Sequence, residues 1–246
     1  MTFSMTVLGC SGSYAEVGGA CSGYLVRSDT TSIWVDAGPG TLANVQQHVS
    51  LDDVDAVVVT HEHPDHCGEL AVLYNALKWY VGRTEVPLYS TSGVRGVVKA
   101  SCGSTDDVFD WTILASGDEA NIGDISLSFE QTDHSVFTLA VRLTHGDKSM
   151  VYTADTGPNW DLGAFAAGTD LLLGECTVLA ENWHEAIPHL SAHQLGHRAR
   201  VAEVERLLVT HIAPGADKSA YEVEAAIAFG KPAEAAVIHQ TYSIGA

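Results

Sequence analysis

Basic residues are scarce in this sequence. Of its 246 residues, 12 are Lys or Arg and 31 are Asp or Glu, which gives a formal net charge of −19. Proteins bind nucleic acids largely by neutralising phosphates with Lys and Arg, and here the basic residues are dispersed singly. A long nucleic acid is therefore disfavoured as a partner, whereas a small anion is still compatible with this charge.

Long apolar runs are also absent. No stretch approaches the roughly 20 residues that a membrane-spanning helix needs, so no contact with a membrane is expected. The N-terminus has no basic region of the kind found in secretory signals, and the five cysteines are odd in number and show no C-x-x-C spacing. These features favour reduced thiols in a cytoplasmic protein over a disulfide-linked secreted one.

A linker rich in proline or serine is the third missing feature. Hydrophobic residues make up 46% of the chain and charged residues only 17%, a composition that excludes intrinsic disorder. We therefore expect residues 1–246 to form a single globular domain.

Short apolar runs alternate with helical stretches, which predicts an α/β fold with about a dozen strands. Two adjacent strands within residues 120–144 have no helix between them, so we expect mixed sheets rather than a repeated βαβ winding. The predicted helices span residues 41–49, 65–80, 93–100, 191–203 and 219–229. The predicted strands span residues 4–8, 23–27, 32–35, 56–60, 86–89, 124–130, 137–143, 150–154, 171–174, 206–210 and 235–238.

Two pairs of segments resemble each other across the chain. Residues 57–61 read Val-Val-Val-Thr-His and residues 207–211 read Leu-Leu-Val-Thr-His, while residues 33–36 and 151–155 each lead an apolar strand into an aspartate. Every segment ends in a side chain that can bind a metal. We interpret the two halves as related sheets that converge on one site, although echoes this short also arise by chance.

The strongest local signal is the sequence His61-Glu-His63-Pro-Asp65-His66, which follows an apolar strand and opens a predicted helix. Residues two apart in an extended segment point to the same side, so His61 and His63 can share one ion. Asp65 and His66, at the start of the helix, can reach a second ion nearby. Three imidazoles and a carboxylate suit Zn²⁺ or a similar divalent ion; the alternative is a His-rich surface loop.

This H-x-H-x-D-H motif resembles that of the metallo-β-lactamase superfamily, and the resemblance extends over nearly the whole chain. It implies a four-layer αββα sandwich with mixed sheets and a dinuclear metal site at one edge of the two sheets. Two divalent ions are expected, Zn²⁺ first, with Mn²⁺ or iron as alternatives. The ligands that the resemblance implies are His61, His63 and His134 for one ion, Asp65, His66 and His211 for the other, and Asp155 as the bridge.

A second motif resembles the tRNase Z-like phosphodiesterases of this superfamily. Glu175 ends the run Leu-Leu-Leu-Gly-Glu, and His189 follows in Pro-His-Leu-Ser. In that branch the His approaches the scissile phosphate and the Glu orients it, which implies that His189 protonates or stabilises the leaving oxygen. From the residues alone, Glu175 can equally be a strand-end charge and His189 a residue before a helix that Ser191 caps.

The spacing between His134 and Asp155 separates this chain from true tRNase Z, which has a long tRNA-gripping arm between the matching positions. Here the two residues are 21 positions apart, room for a strand, a turn and the next strand. Together with the negative charge, this spacing favours a small phosphodiester substrate. The plan of the chain resembles short bacterial phosphodiesterases, some of which hydrolyse 3′,5′-cyclic nucleotides.

The resemblance therefore predicts a metal-dependent phosphodiesterase that converts a 3′,5′-cyclic nucleotide, such as cyclic AMP, into the 5′-nucleotide. The two ions would lower the pKa of a bound water, and Asp65 could accept the proton that this water loses. The resulting hydroxide would attack phosphorus. The alternatives are a tRNase Z-like ribonuclease or nuclease, a thioester or lactone hydrolase, and a metal-binding protein without catalysis. Family analogy leaves a homodimer open beside a monomer.

Several other polar residues stay open at this level. Asp36, at a strand end, is interpreted either as support for a ligating imidazole or as a turn residue. His239, which follows a predicted strand, can line the pocket or find its partners within the sheet, and its position by family analogy favours the pocket. Residues 9–13, Gly-Cys-Ser-Gly-Ser, can offer backbone N–H groups to a phosphate or form an ordinary turn. His193 and His197, four apart on a predicted helix, are interpreted as an exposed helix face.

Overall fold

The computed structural model describes residues 2–245. Within this range the chain forms fourteen strands, arranged in two seven-stranded sheets. In chain order the strands are β1 (Ser4–Gly9), β2 (Gly23–Arg27), β3 (Ser32–Val35), β4 (Ala56–Val59), β5 (Val86–Ser90), β6 (Phe109–Ile113), β7 (Glu119–Ile122), β8 (Ile125–Gln131), β9 (Leu139–His145), β10 (Lys148–Tyr152), β11 (Leu171–Glu175), β12 (Arg206–Thr210), β13 (Ala233–Ala235) and β14 (Thr241–Ser243).

Both sheets mix parallel and antiparallel neighbours. The first sheet has the order β14-β1-β2-β3-β4-β5-β6 and is parallel from β3 to β6 and antiparallel elsewhere. The second has the order β13-β12-β11-β10-β9-β8-β7 and is parallel from β10 to β13. The prediction of mixed sheets is confirmed.

The two sheets pack face to face, and helices cover their outer sides. Strand β3 shows how one strand serves two layers: Ile33 and Val35 lie in the core between the sheets, whereas Trp34 packs on the helical side. In the other sheet, Leu172 of β11 likewise packs on the helical side. Burial on both faces explains why these strands read as continuous apolar runs. The predicted four-layer αββα sandwich is confirmed.

The described residues form seven α-helices, and no helix among them has both the length and the apolar character needed to cross a membrane. A π-helical turn at Leu77–Val81 continues the third helix, and two 3₁₀ turns lie at Leu51–Asp53 and Ala180–Asn182. The α-helices are α1 (Thr41–Val45), α2 (Pro64–Cys67), α3 (Leu70–Ala76), α4 (Ser92–Cys102), α5 (Leu162–Phe165), α6 (Ala192–Val201) and α7 (Lys218–Phe229).

The single helix predicted over residues 65–80 is wrong, because α2 ends at Cys67 and α3 begins at Leu70. The break is held by Glu69. Its backbone N–H donates to the carbonyl oxygen of Ala37 at 2.9 Å, and its carboxylate accepts the N–H of Gly40. These contacts tie the start of α3 to the loop after β3, an interaction that no helical pattern in the sequence can report.

The sequence pattern misses β6, β7 and β14, and it places the last strand of the second sheet at residues 235–238 rather than at β13. All four are the outermost strands of their sheets. An outermost strand buries little: Asp110 and Ile113 of β6 are exposed, as is Glu119 of β7. Without a buried face on both sides these strands lack the apolar run that marks the central ones.

The C-terminal ends of the central strands meet at one edge of the sandwich. His61 follows β4, Asp155 follows β10 and His211 follows β12, so the paired segments contribute strands from both sheets. Three non-glycine residues here, Asp36, Ala154 and His211, have φ angles of 56°, 50° and 55°. Such left-handed residues persist only where surrounding contacts enforce them, and they concentrate at functional sites.

Candidate metal centre

Four predicted ligands form a first cluster. His61, His63, His134 and Asp155 each contribute one ligand atom, and these atoms all lie within 4.8 Å of one another. Nε2 of His61 and Nε2 of His134 are each 3.2 Å from Nδ1 of His63. Three imidazole nitrogens converging beside one carboxylate are a typical donor set for a divalent ion such as Zn²⁺.

Asp65, His66 and His211 form a second cluster, with their ligand atoms again within 4.8 Å. Oδ2 of Asp65 lies 3.2 Å from Nε2 of His211 and 3.6 Å from Nε2 of His66. Helix α2 presents Asp65 and His66 because Pro64 starts the helix directly after His63, and proline suits the first helical position.

Asp155, a member of the first cluster, also reaches the second and turns one carboxylate oxygen to the imidazoles of each. Its Oδ2 is 3.5 Å from Nε2 of His61 and 3.7 Å from Nε2 of His134. Its Oδ1 is 3.2 Å from Nε2 of His66 and 3.4 Å from Nε2 of His211. One carboxylate therefore touches both groups of imidazoles.

Two buried atoms at this centre have no hydrogen-bond partner among the described residues, namely Nε2 of His66 and Oδ1 of Asp155. They are 3.2 Å apart without the geometry of a hydrogen bond, and both side chains are almost inaccessible to solvent. A buried polar atom without a partner costs about 1–3 kcal/mol. The residues present therefore fit divalent cations, which would satisfy both atoms.

The electrostatics of the first cluster agree with this fit. Burial lowers the pKa of His61, and it lowers the pKa of His134 to about 4, so both imidazoles are neutral at neutral pH. Burial acts to raise the pKa of Asp155, but His211 and His66 hold it well below its ordinary value. Neutral imidazole and ionised carboxylate are the forms that bind metals.

Each imidazole of the two clusters, His63 excepted, also has a partner on its outer nitrogen. Such partners fix the orientation of the ring. The pairs, with the distance from Nδ1 to oxygen, are His61 with Thr60 (3.1 Å), His66 with Asp36 (2.7 Å), His134 with the carbonyl of Pro188 (3.1 Å) and His211 with Thr177 (3.0 Å). Sequence reasoning missed the two threonines and the proline, although Thr60 lies in the repeated Val-Thr-His segment.

Asp36 supports a candidate ligand, which is one of the two interpretations that the sequence allowed for it. Its fully buried carboxylate accepts the Nδ1 proton of His66, both the N–H and the hydroxyl of Thr60, and the phenol hydroxyl of Tyr152 at 2.9 Å. Four donors hold this carboxylate in place, and it in turn holds the His66 ring towards the second cluster.

Changing Asp36 to Asn is expected to lower zinc affinity by roughly 10- to 100-fold, because the His66 imidazole loses its charged acceptor. Tyr152→Phe, which removes a single hydrogen bond to the same carboxylate, serves as the graded comparison and is expected to have a smaller effect. Competition with a chromophoric chelator measures both affinities. Unchanged affinity in a folded Asp36→Asn variant would contradict this role.

Residues 9–13 reach the second cluster by their backbone. The N–H of Ser13 donates to Oδ2 of Asp65 at 2.8 Å. A Cβ atom at Gly12 would come within 2.7 Å of the carbonyl oxygen of His211 and 2.9 Å of its Nδ1. Only glycine fits against His211 at this distance, so the loop is more than an ordinary turn: it packs on two predicted ligands.

Glu175 and His189 form a buried pair beside the clusters. The Glu175 carboxylate is fully inaccessible and accepts the Nδ1 proton of His189 at 3.0 Å. It also accepts the backbone N–H groups of Thr156, Leu190 and Thr177, at 3.0, 3.2 and 3.1 Å. The carboxylate is therefore more than a strand-end charge, because it organises three chain segments around His189.

His189 presents its other nitrogen to the centre. Its ring stacks on that of His211 at 5.3 Å, and one of its nitrogens belongs to a group with Asp155 and His211 within 4.8 Å. Since Glu175 holds Nδ1, Nε2 is free to face this group. Burial lowers the pKa of His189, but the Glu175 carboxylate outweighs burial and raises it to about 9.

Three other histidines lie apart from the centre. His239 is exposed, and its Nδ1 lies 2.9 Å from Nε2 of His48, so the position favoured for it in the pocket is wrong. His193 and His197 are exposed on α6 and belong to none of the ligand groups formed by the described residues. Their interpretation as an exposed helix face agrees with the structure.

The similarity of this chain to known proteins agrees with the geometry of a metal centre. The profile of a family described as "Beta-lactamase superfamily domain" matches residues 31–212. The chain belongs to this superfamily. The matched range contains both ligand clusters and the pair of His189 and Glu175.

The members of the superfamily that resemble the chain include hydrolases. The probable metallo-hydrolase YhfI of Bacillus subtilis is 30% identical over 213 residues, covering 85% of this chain and 86% of YhfI. The crystal structure of YhfI, described as a metallo-β-lactamase fold protein, matches with a TM-score of 0.91 and 26% identity over 98% of both chains.

Ribonuclease Z of Methanopyrus kandleri is 30% identical over 140 residues, which cover 56% of this chain and 49% of that protein. A diphosphatase from the PhnP family has the same fold, with a TM-score of 0.78 and 17% identity over 98% of this chain and 97% of that one. The similarity to YhfI, together with the family match, identifies the chain as a metal-dependent hydrolase of the β-lactamase superfamily.

Proposed function

We propose that this hydrolase is a dinuclear phosphodiesterase that acts on a small phosphodiester, with a 3′,5′-cyclic nucleotide as the preferred substrate. The observation that carries the proposal is the position of Asp155, with one carboxylate oxygen towards each ligand cluster and the pair of His189 and Glu175 beside it. The two clusters suit two ions, and the pair suits a leaving group that needs a proton.

Each ligand cluster would hold one ion. His61, His63 and His134 would bind one and Asp65, His66 and His211 the other, with Asp155 shared. Zn²⁺ is the first choice because imidazole nitrogens dominate the donors, with Mn²⁺ or iron as alternatives. Bound divalent ions lower the pKa of a coordinated water towards neutrality and offset charge on phosphate oxygens.

The chain's own contribution to the chemical step is a proton from His189. The Glu175 carboxylate raises the pKa of the His189 imidazole, which favours the protonated form, and fixes the ring through Nδ1. In a cyclic nucleotide the bond between phosphorus and O3′ breaks as a water oxygen joins phosphorus. O3′ takes the proton from His189 and leaves as a hydroxyl, Asp65 would accept the proton that the attacking water gives up, and the product is the 5′-monophosphate.

A small substrate is supported by the chain between His134 and Asp155. It contains β9, a turn at residues 146–147 and β10, with no inserted arm. A polyanion would also meet the net charge of −19. Two of the relatives are named ribonuclease Z and diphosphatase, and these names support the hydrolysis of phosphate esters or anhydrides as a class.

The test is hydrolysis of 3′,5′-cyclic AMP by purified protein loaded with zinc or manganese, with the Asp155→Ala variant as the blank. Formation of 5′-AMP by the wild type alone is the expected result. Protein that carries two ions per chain and forms no product would overturn the cyclic-nucleotide proposal. Linear oligonucleotides and a lactone, assayed in parallel, would then separate a nuclease from the other hydrolases.

A further inference from the structure

A cavity of about 550 Å³ opens beside the candidate metal centre. His134, a member of the first ligand cluster, forms part of its wall, and Nδ1 of His134 donates to the carbonyl oxygen of Pro188, another wall residue. The cavity therefore adjoins the first ligand cluster on the side of His134. Its volume lies within the roughly 300–1,000 Å³ typical of small-molecule pockets.

One wall of the cavity carries an aromatic ring in a fixed orientation. Trp183 lines the cavity and is half-buried. Its indole N–H donates to the carbonyl oxygen of His189 at 2.9 Å, so the ring is held by the same segment that carries the proposed proton donor. Asn159 adds an amide that can both donate and accept hydrogen bonds. A ligand with a flat ring and polar edges would suit this wall, because the ring can stack on the indole and the edges can form hydrogen bonds with the amide.

The charges that line the cavity are negative. Asp133 and Glu185 contribute carboxylates, and none of the described lining residues is Lys or Arg. The Asp133 carboxylate is engaged by the backbone N–H of Asn159 at 2.9 Å, whereas Glu185 is exposed. If the substrate carried an anionic group besides its phosphate, these carboxylates would repel that group, because no Lys or Arg of the lining offsets them. An uncharged group with N–H donors would find hydrogen-bond acceptors.

We infer that this cavity holds the nucleobase of the phosphodiester substrate, with Trp183 as its stacking surface and the carboxylate of Glu185 selecting against an additional anionic group. The inference rests on the proposed phosphodiesterase function. The phosphate would lie at the ligand clusters, the ribose would pass His134, and the base would lie against the indole ring. Trp183 is then a residue that determines substrate specificity.

Equilibrium binding tests the assignment without requiring turnover. Calorimetry on metal-loaded protein compares adenosine 5′-monophosphate with ribose 5-phosphate, which lacks the base. We expect the wild type to prefer the nucleotide by roughly 5- to 100-fold, the range set by base–aromatic stacking. Trp183→Leu should lose most of this preference, and Trp183→Phe, which keeps a ring but loses the indole N–H, should retain much of it.

The kinetic counterpart separates stacking from positioning of His189. The substrates are 3′,5′-cyclic AMP and the cyclic phosphate of methyl riboside, which has no base. Loss of stacking in Trp183→Leu raises KM for the first by roughly 5- to 100-fold and leaves KM for the second nearly unchanged. An equal loss on both substrates, or an unchanged preference in the binding experiment, would overturn the assignment of Trp183.

The charge of the cavity is tested with a matched pair of ligands, uridine 5′-monophosphate and its 5-carboxy derivative. The wild type should bind the carboxylated base roughly two- to fivefold more weakly, and Glu185→Lys should remove or reverse this difference. An unchanged difference would overturn the role of Glu185. Absence of turnover together with an intact base preference would count against the phosphodiesterase proposal and leave the cavity assignment in place.

Discussion

Replacing Asp155 with asparagine is expected to reduce phosphodiester hydrolysis by at least about 10³-fold and to lower the zinc content of the purified chain. The two carboxylate oxygens face separate clusters, at 3.2 Å from His66 and 3.5 Å from His61. Asparagine keeps the shape but has a single oxygen and no charge, so one cluster would face an amide donor. Metal analysis and kinetics at saturating zinc measure the two effects.

The matched control for this change is Asp217→Asn. Asp217 is exposed and caps α7 by accepting the N–H of Ser219 at 3.1 Å, and asparagine caps a helix about as well as aspartate. This variant removes the same charge and should keep full metal content and activity. A folded Asp155→Asn variant with wild-type metal content and rate would rule out the shared-carboxylate arrangement.

The second large effect is expected for His189→Gln, and its size should depend on the leaving group. With an alkoxide leaving group, as in 3′,5′-cyclic AMP, kcat should fall by roughly 10²- to 10⁴-fold, because the departing oxygen loses its proton donor. With bis(p-nitrophenyl) phosphate the loss should be about tenfold at most, since p-nitrophenolate departs without a proton. Initial rates on the two substrates give this comparison directly.

Metal content distinguishes this role of His189 from ligation. One of its nitrogens lies within 4.8 Å of ligand atoms of Asp155 and His211, so a direct role as a ligand would also lower the activity. The proton-donor role requires full metal content in His189→Gln. Equal losses on both substrates, or loss of metal, would contradict it. His193→Gln, an exposed substitution on α6, is expected to change neither quantity.

Local sequence pattern was sufficient to place the candidate ligands on neighbouring strand ends. His61 and His211 each follow an apolar run and a Val-Thr pair, and the structure brings them to the same edge of the sandwich from different sheets. The central strands are buried on both faces, and the apolar runs that result are readable in the sequence. The helix predicted over 219–229 agrees with α7 to within one residue for a related reason, since its buried face recurs with helical spacing.

The contacts that hold the centre in place were not readable in this way. Glu69 interrupts a predicted helix because its amide and carboxylate bind the loop after β3. Glu62, inside the His motif, lies against Gly93, where a Cβ atom would come within 1.9 Å of its Oε2. Neither partner is near in sequence, and neither belongs to a periodic pattern. Outermost strands such as β6 were missed because their exposed faces carry no apolar signal.

By itself the sequence determined the α/β class and the mixed sheets, because burial leaves local patterns, and its resemblance to a known superfamily implied the αββα sandwich and the set of residues from which a metal centre can be built. Only the tertiary structure decided which oxygen of Asp155 faces which cluster, that Asp36 and Glu175 hold His66 and His189, and that His239 lies elsewhere. These contacts join segments that are distant in sequence, and they depend on how the two sheets pack. In the sequence each of them corresponds to an isolated polar residue without a local pattern.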